Sequence, residues 1–480
     1  MNADFLIAAP ELLVLIMACV VMVVDTFLGE DRRGIIHMLG MLTVVFAAII
    51  TLRHDPLVEG QAVVTAFNDM YIRDGMADTL KLFAYATMAL VFTYSKHYLR
   101  SFELFKGDFY TLALFSLLGV MLLISANNLV MVYLGLELTS LASYAMVALN
   151  RQSDRGSESA MKYFVLGSMA SGLLLYGMSM VYGATGTLSL PEIAEAVRVA
   201  GREDILLIVG LVFMVVGIAF KLGVVPFHMW VPDVYDGAPL SATLFISTVP
   251  KLAAFAMAYR LLAGGLPALH GDWQQMLTAL AVLSLVVGNL AAIMQTNIRR
   301  MLAYSTVSHM GFVLLGLLAG TSYGYGAGLF YIIVYALMSA AAFGMLILLS
   351  GRGVEVVELD DLKGLNQHNG WYAAIMAMVM FSMAGVPVFV GFFAKLLVIR
   401  AALEAGLLSL ALLAVVFSVI GAFYYLRVVK LMYFDEPETD TRVDVPVDFS
   451  AAISLNGVLM LALGLFSSSL IALCMNSFPS

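Results

Sequence analysis

Runs of about twenty apolar residues alternate with short polar breaks along almost the whole chain. They fall near 5–24, 34–52, 78–98, 109–126, 128–149, 160–183, 205–230, 240–262, 275–296, 301–320, 325–350, 371–404, 406–434 and 450–474. A helix needs roughly 20 residues to cross the hydrocarbon core, so the pattern predicts an all-α polytopic membrane protein of about 14 transmembrane helices. The longest polar segments, 53–78 and 185–204, are predicted to be loops too short for a soluble domain. The whole chain, 1–480, is therefore expected to form a single membrane domain.

Two of the runs are unusually long and contain prolines: Pro226 and Pro232 in 205–230 and the residues after it, and Pro387 between Gly385 and Gly391 in 371–404. A proline removes a backbone donor and crowds the preceding turn, so both runs are predicted to be discontinuous helices. They lie five spans apart. An odd offset turns the second unit upside down, which predicts two inverted five-helix repeats, 109–262 and 275–434. A three-helix segment, 1–100, precedes them and a single helix, 450–474, follows.

Composition agrees: 62% of the 480 residues are hydrophobic, only 12% are charged, and the mean hydropathy is +0.95. The first run follows Asp4 rather than a basic stretch and lacks a small-residue cleavage signature, so it reads as a retained span. The basic residues in odd-numbered connections are Arg32, Arg33, Lys96, Arg100, Lys106, Arg151, Arg155, Arg299, Arg300, Arg352, Lys363, Arg427, Lys430 and Arg442. Even-numbered connections hold only Arg53, Arg73, Arg198, Arg202, Arg260 and Arg400. By the positive-inside rule both termini are expected outside.

Several function classes are excluded by what is missing. Cys19 and Cys474 are the only cysteines and neither sits in a CxxC or Cys/His pattern, so no metal or cluster is expected in this chain. The net charge of −8 without a basic stripe argues against nucleic acid. Neither a dinucleotide fingerprint nor a P-loop is present. The chemistry is expected to reside in ionisable groups within the bilayer.

Three lysines stand out. Lys221, Lys251 and Lys395 lie inside apolar runs, each within eight residues of a proline. At roughly 2.5 to 3.5 kcal/mol each at the centre of a span, together they oppose insertion by about 8 to 10 kcal/mol. Lys251 is too far from either end of its span to snorkel to the interface. Its neighbour Pro250 frees the carbonyl of Ile246, which could hold water or an ammonium. Glu137, in YLGLELTSLASYAMVAL, is on the order of 14 Å along its helix. A carboxylate at that depth is protonated or paired. The plainer readings are a Glu137 hydrogen-bonded to Ser140, a Lys251 paired statically, and a Lys221 near the interface.

Lys162 follows Arg155 and Glu158 and reads equally as an interfacial lysine or a relay member. His309, in RRMLAYSTVSHMGF, could pass protons because imidazole titrates near neutrality, or could serve as a hydrogen-bonded packing residue. Burial disfavours charge on a carboxyl and an amine alike, which makes both exchangeable. A Glu137/Lys221 pair about 7 Å apart at an effective dielectric near 20 would be worth about 2.4 kcal/mol. Moving one charge through 100 mV costs about 2.3 kcal/mol. Making and breaking such a pair is the right size to drive one proton.

Five segments carry a resemblance: YLGLELTSLASYAMVAL, KYFVLGSMASGLLLYG, FKLGVVPFHMWVPDVYDGAPL, SHMGF and FSMAGVPVFVGFFAKLLVI. Through them the chain resembles the proton-channel family shared by the antiporter-like subunits of respiratory complex I and Mrp-type cation/proton antiporters. Lys395 and KYFVLGS resemble the group of that family placed closest to the quinone module. The resemblance implies fourteen helices, inverted repeats and a central line of protonatable groups. It assigns the Glu137/Lys221 pair, a bridging Lys251, an entry or exit group Lys395, and with less force Lys162 and His309. It implies no cofactor in this chain; NADH, FMN, iron–sulfur clusters and quinone would belong to partner subunits. The partners implied are other complex I membrane subunits and the lipid bilayer.

A redox-independent sodium/proton antiporter of the Mrp type is the alternative function. A membrane scaffold with statically paired lysines is a third.

Overall fold

The structure is a computed structural model and describes residues 3–29, 32–53, 63–200, 204–351, 354–437 and 445–478. The chain opens with a short α1 (Ala3–Ile7), α2 (Ala9–Phe27) and α3 (Gly34–Arg53). A two-stranded antiparallel hairpin follows, β1 (Val63–Ala66) and β2 (Tyr71–Asp74). Next come α4 (Gly75–Ser101), α5 (Gly107–Ile124), α6 (Leu129–Val147), α7 (Asp154–Thr185), α8 (Leu190–Ala200), α9 (Ile205–Leu222) and α10 (Trp230–Gly237).

The middle of the chain forms α11 (Leu240–Ile246) and α12 (Val249–Ala258), continued by a π-helical turn, Tyr259–Gly265. Then follow α13 (His270–Ile293), α14 (Ile298–Leu318) and α15 (Ser322–Leu349). The last third holds α16 (Leu365–His368), α17 (Gly370–Ala384), α18 (Val390–Glu404), α19 (Leu408–Phe434), α20 (Val447–Leu465) and α21 (Ser467–Asn476).

Thirteen helical segments among the described residues are long and apolar enough to cross a membrane. The expected span at 371–404 is not one of them, because it is divided into α17 and α18, each too short alone. The other expected break falls between α9 and α10. Both interruptions have the same local cause. α9 ends where Gly223 takes φ +79° and its N–H reaches back to the carbonyls of Ala219 and Phe220, with Val224 N–H also on Ala219. α17 ends where Gly385 takes φ +85°, bonded to Phe381 and Ser382, with Val386 N–H on Phe381. A glycine-closed helix end followed within three residues by Pro226 or Pro387 cannot resume its hydrogen-bond ladder at once.

Three expectations need correction. The 53–78 segment is not simply a loop: it contains the hairpin, though residues 54–62 lie outside the described ones. The 185–204 segment carries α8, whose Ile193 and Val197 are buried. The 450–474 run is not one helix but α20 and α21, separated at Phe466. In the first two places amphipathic or short alternating patterns were too weak to register against long apolar runs.

The core is formed by α11 and α12 with α14 and α15, which are almost wholly buried. α2, α3, α7, α19 and α20 surround them and expose large apolar side chains such as Phe46, Met169 and Phe423. Such a surface requires lipid or neighbouring protein around it. The breaks after α9 and α17 leave main-chain carbonyls open to side chains within the bundle.

Candidate functional site

The two breaks collect the lysines. At the first, the Lys251 Nζ of α12 donates to the backbone carbonyls of Lys221 (3.2 Å) and Leu222 (2.8 Å), the last residues of α9. Its ammonium also lies 5.0 Å from the centre of the Trp230 ring. At the second, the Lys395 Nζ of α18 donates to the carbonyl of Ala384 (2.8 Å), the last residue of α17, and lies 5.2 Å from the Phe312 ring. Each ammonium therefore caps a helix C-terminus, where aligned peptide dipoles and unpaired carbonyls concentrate negative charge, and rests on an aromatic face. Lys251 is 1% exposed and Lys395 7%.

Glycine is required at these caps twice over. A Cβ on Gly223 would sit 2.7 Å from Val231 Cγ2, with Lys251 Nζ at 3.4 Å. One on Gly385 would sit 2.9 Å from Lys395 Cδ and 3.3 Å from its Nζ. Positive φ excludes a side chain at both, reinforced by Val231 at Gly223 and by the Lys395 side chain at Gly385.

The carbonyls that hold Lys251 are not the one expected from the sequence. Pro250 does end α11 and restart the helix as α12, but the ammonium reaches across to α9 rather than to Ile246. The unwound stretch that frees those carbonyls is fixed by Val225 N–H on Ser284 Oγ (3.0 Å) and Trp230 Nε1 on the Phe220 carbonyl (3.1 Å).

Lys221 and Glu137 make no direct salt bridge, in keeping with a pair that acts across several ångströms. Lys221 Nζ donates to Ser140 Oγ at 2.6 Å, one helical turn from Glu137 on α6. Glu137 Oε1 is buried without a hydrogen-bond partner. The Ser140 hydroxyl itself donates to the Leu136 carbonyl, and Glu137 is not bonded to it. An ionisable carboxylate with an unused oxygen beside a lysine held only by a hydroxyl can take up a proton or a closer partner.

His309, on α14, is bonded at both ring nitrogens: Nδ1 to Tyr331 OH (2.8 Å) and Nε2 to Tyr425 OH (2.9 Å). A neutral imidazole between two phenols donates at one nitrogen and accepts at the other, so exchanging tautomers passes a proton through it. Phe312, one turn further on, carries the Lys395 ammonium. Among the described residues no hydrogen bond joins Lys251 to His309 or Lys395; the site has two clusters, one at each break.

Lys162 belongs elsewhere. Its side chain is 42% exposed and pairs with Glu158 (2.8 Å) and Asp233 (2.9 Å). Asp233 also receives Arg300 (2.9 Å), and the neighbouring Asp236 receives Arg155. Asp233 and Asp236 are on α10, so this network holds the second half of the broken helix while Lys251 holds the first.

Tyr331 and Tyr425 were not singled out from the sequence, because a tyrosine within an apolar run looks like core. Ser140 was named there only as a partner for Glu137.

The fold and these clusters can be set beside known proteins. The family described as NADH:quinone oxidoreductase/Mrp antiporter, TM matches residues 126–421. NADH-quinone oxidoreductase subunit N of Thioalkalivibrio sulfidiphilus (strain HL-EbGR7) is 53% identical over 471 residues, covering 98% of this chain and 97% of that protein. A chain of respiratory complex I from Thermus thermophilus with bound aureothin superposes with a TM-score of 0.83 at 31% identity, covering 96% of this chain and 98% of that one. A chain of the Mrp complex from Dietzia sp. DQ12-45-1b shares the fold, with a TM-score of 0.85 at 22% identity over 99% and 97% of the two chains. At this identity and over nearly its full length, the chain belongs to the NADH-quinone oxidoreductase subunit N family, within the wider NADH:quinone oxidoreductase/Mrp antiporter family.

Proposed function

We propose that this chain is a proton-translocating membrane subunit of NADH:quinone oxidoreductase, moving protons through a buried relay of Glu137, Lys221, Lys251 and Lys395, with His309 as a neutral conductor. One observation carries the reading: both broken helices end at a buried lysine whose ammonium is held by main-chain carbonyls. NADH, FMN, iron–sulfur clusters and quinone belong, on this reading, to partner subunits, and the chain works in the company of other complex I membrane subunits.

The mechanism follows from what each group can hold. Glu137 and the Ser140 hydroxyl favour a charged Lys221. Loss of the Glu137 charge removes that support, and the proton passes to Lys251, where the α9 carbonyls and the Trp230 face favour an ammonium. A fresh proton taken up by Lys221 then repels the one now on Lys251, which biases the transfer onward. His309 and its two phenols conduct without becoming charged, and Lys395 is the terminal group at the second break. Each step changes one charge, worth about 2.3 kcal/mol per 100 mV, so pairing energies of a few kcal/mol suffice to move it against a membrane potential. Lys162, on α7, acts by anchoring α10 through Asp233.

The placement of the two breaks supports inverted repeats at 109–262 and 275–434, because each lies in the fourth span of its unit. For orientation in a bacterial inner membrane, the basic-residue bias favours periplasmic termini. Two of the six basic residues on the proposed outer side, Arg73 and Arg260, are buried and paired with Asp78 and Asp74, which sharpens that bias.

The test is the assembled complex in proteoliposomes. Lys251→Met or Lys395→Met lowers the protons moved per NADH oxidised while the complex stays assembled. Unchanged pumping contradicts the relay. Sodium-dependent proton exchange by the chain without redox partners would instead favour an Mrp-type antiporter.

A further inference from the structure

A third buried lysine takes no part in this relay. Lys81, on α4, is 1% exposed, and its Nζ lies 2.6 Å from Glu11 Oε1 on α2 and 2.7 Å from the Tyr71 hydroxyl on β2. The Tyr71 hydroxyl donates to the same Glu11 oxygen at 2.9 Å, and the ammonium lies 4.9 Å from the Tyr71 ring centre. Ammonium, phenol and carboxylate form a closed triangle. Glu11 and Tyr71 are also buried, and the second carboxylate oxygen, Glu11 Oε2, is buried with no hydrogen-bond partner.

We propose that Glu11, Lys81 and Tyr71 form a second proton-exchanging site, at the end of the bundle where the chain begins and separate from the Lys221, Lys251 and Lys395 clusters. The inference rests on the proton-translocating reading above. A static clamp between α2, α4 and the hairpin would be served at least as well by three apolar side chains of similar volume, since a buried ion pair recovers its desolvation cost only with full hydrogen bonding. Here one carboxylate oxygen is left open. It is where a proton enters: protonation at Oε2 takes the triangle from net zero charge to +1, and its loss restores the pair. Within the triangle, transfer of a Lys81 proton to Tyr71 with transfer of the Tyr71 proton to Glu11 interconverts the ionic and neutral forms. That exchange needs no outside reactant.

The site is wired to the relay through the main scaffold. Asp74 accepts a bond from the Ala77 amide as N-cap of α4, seven residues before Lys81. It also holds Arg260 through two bonds of 2.6 and 2.9 Å. Arg260 lies in the π-helical turn that continues α12, the helix of Lys251. π-turns often mark functional sites because their hydrogen bonds can be re-registered. The charged and titratable groups around the triangle are Glu11 from α2, Tyr71 and Arg73 from β2, Asp78, Lys81 and Tyr85 from α4 with its N-cap Asp74, and Arg260 from the π-turn. α3 contributes Thr51, and Ser125 follows α5; neither titrates.

The experiment compares Tyr71→Phe and Glu11→Gln with Lys251→Met in the intact complex reconstituted in vesicles, measuring assembly, NADH oxidation and proton pumping against pH. Tyr71→Phe keeps the ring and the ion pair, so it assembles, and its pumping rate falls by about tenfold or more, as for loss of a positioned acid–base group. Glu11→Gln removes one step from the pH profile of pumping, and an infrared carboxyl band that changes during turnover disappears. If both variants assemble and keep the parent's rate and profile, the triangle is only a clamp and the proposal is overturned. If Glu11→Gln does not assemble, Tyr71→Phe decides by itself. Normal pumping by Lys251→Met would instead overturn the reading on which this one rests.

Discussion

The ammonium of Lys251 donates to the backbone carbonyl of Lys221 at 3.2 Å, so the two lysines meet through the main chain of one of them. A change of charge on Lys251 is felt at the end of the helix that carries Lys221. The second break repeats the device within a single interrupted helix, where Lys395 of α18 caps α17.

Gly385 and Gly406 separate strain from function. Both have positive φ, +85° and +79°, so alanine at either costs roughly 1 to 2 kcal/mol of backbone strain. Only at Gly385 does the added Cβ press on Lys395; at Gly406 nothing lies within 4 Å. Thermal unfolding of the purified complex is expected to show similar losses for Gly385→Ala and Gly406→Ala. Pumping falls only with the first.

Ser140→Ala takes away the hydrogen-bond acceptor of Lys221 at 2.6 Å. A bond to a charged group contributes about 1.5 to 3 kcal/mol, so the lysine moves toward Glu137 or loses its proton more readily. Pumping slows by about tenfold while Ser140→Thr, which keeps the hydroxyl, retains most of it. Equal rates in the two variants would remove Ser140 from the path.

At His309, a packing role and a proton role give different results. His309→Leu leaves the Tyr331 hydroxyl without its bond, at about 1 to 3 kcal/mol, while the Tyr425 hydroxyl keeps Ser305 and Tyr424. Adding Tyr331→Phe removes that unsatisfied group and is expected to recover thermal stability. Proton pumping stays low in the double variant; recovery of pumping along with stability would show that His309 only packs.

Acid stability should report on Asp74, which precedes α4 and pairs with Arg260. Burial pushes the Asp74 carboxyl up, but the Arg260 charge, the bonds from Arg260 and the Ala77 amide bond outweigh it and hold it below the usual carboxylate value. A lowered folded-state value stabilises the fold above the unfolded carboxylate's range. That contribution is lost as pH falls through the folded value. The melting temperature is therefore expected to drop on acidification, with a smaller drop in Asp74→Asn, measured by thermal scanning below neutral pH.

The spans were legible because runs of about twenty apolar residues have one structural use, and both breaks were legible because Gly and Pro act locally on the backbone. Lys221, Lys251 and Lys395 were legible from the cost of their charge. The partner of each was not, since a carbonyl acceptor leaves no trace in side-chain identity: Lys251 finds α9 rather than Ile246. That Lys221 bonds Ser140 and not Glu137 depends on helix rotation that periodicity does not fix. Glu11 escaped notice because it stands near the start of its run, where a carboxylate usually reaches water, and the hairpin that buries it lies in what reads as a polar loop.

Lys251→Arg tests the central claim most directly. Arginine keeps a permanent positive charge for the carbonyls of Lys221 and Leu222 but does not release a proton in a protein. The measurement is protons translocated per NADH oxidised by the assembled variant complex in proteoliposomes. Proton relay through Lys251 predicts a complex that assembles and oxidises NADH with a lowered proton yield. An undiminished yield would mean that the ammonium serves only to cap the helix, and the relay would not pass through Lys251.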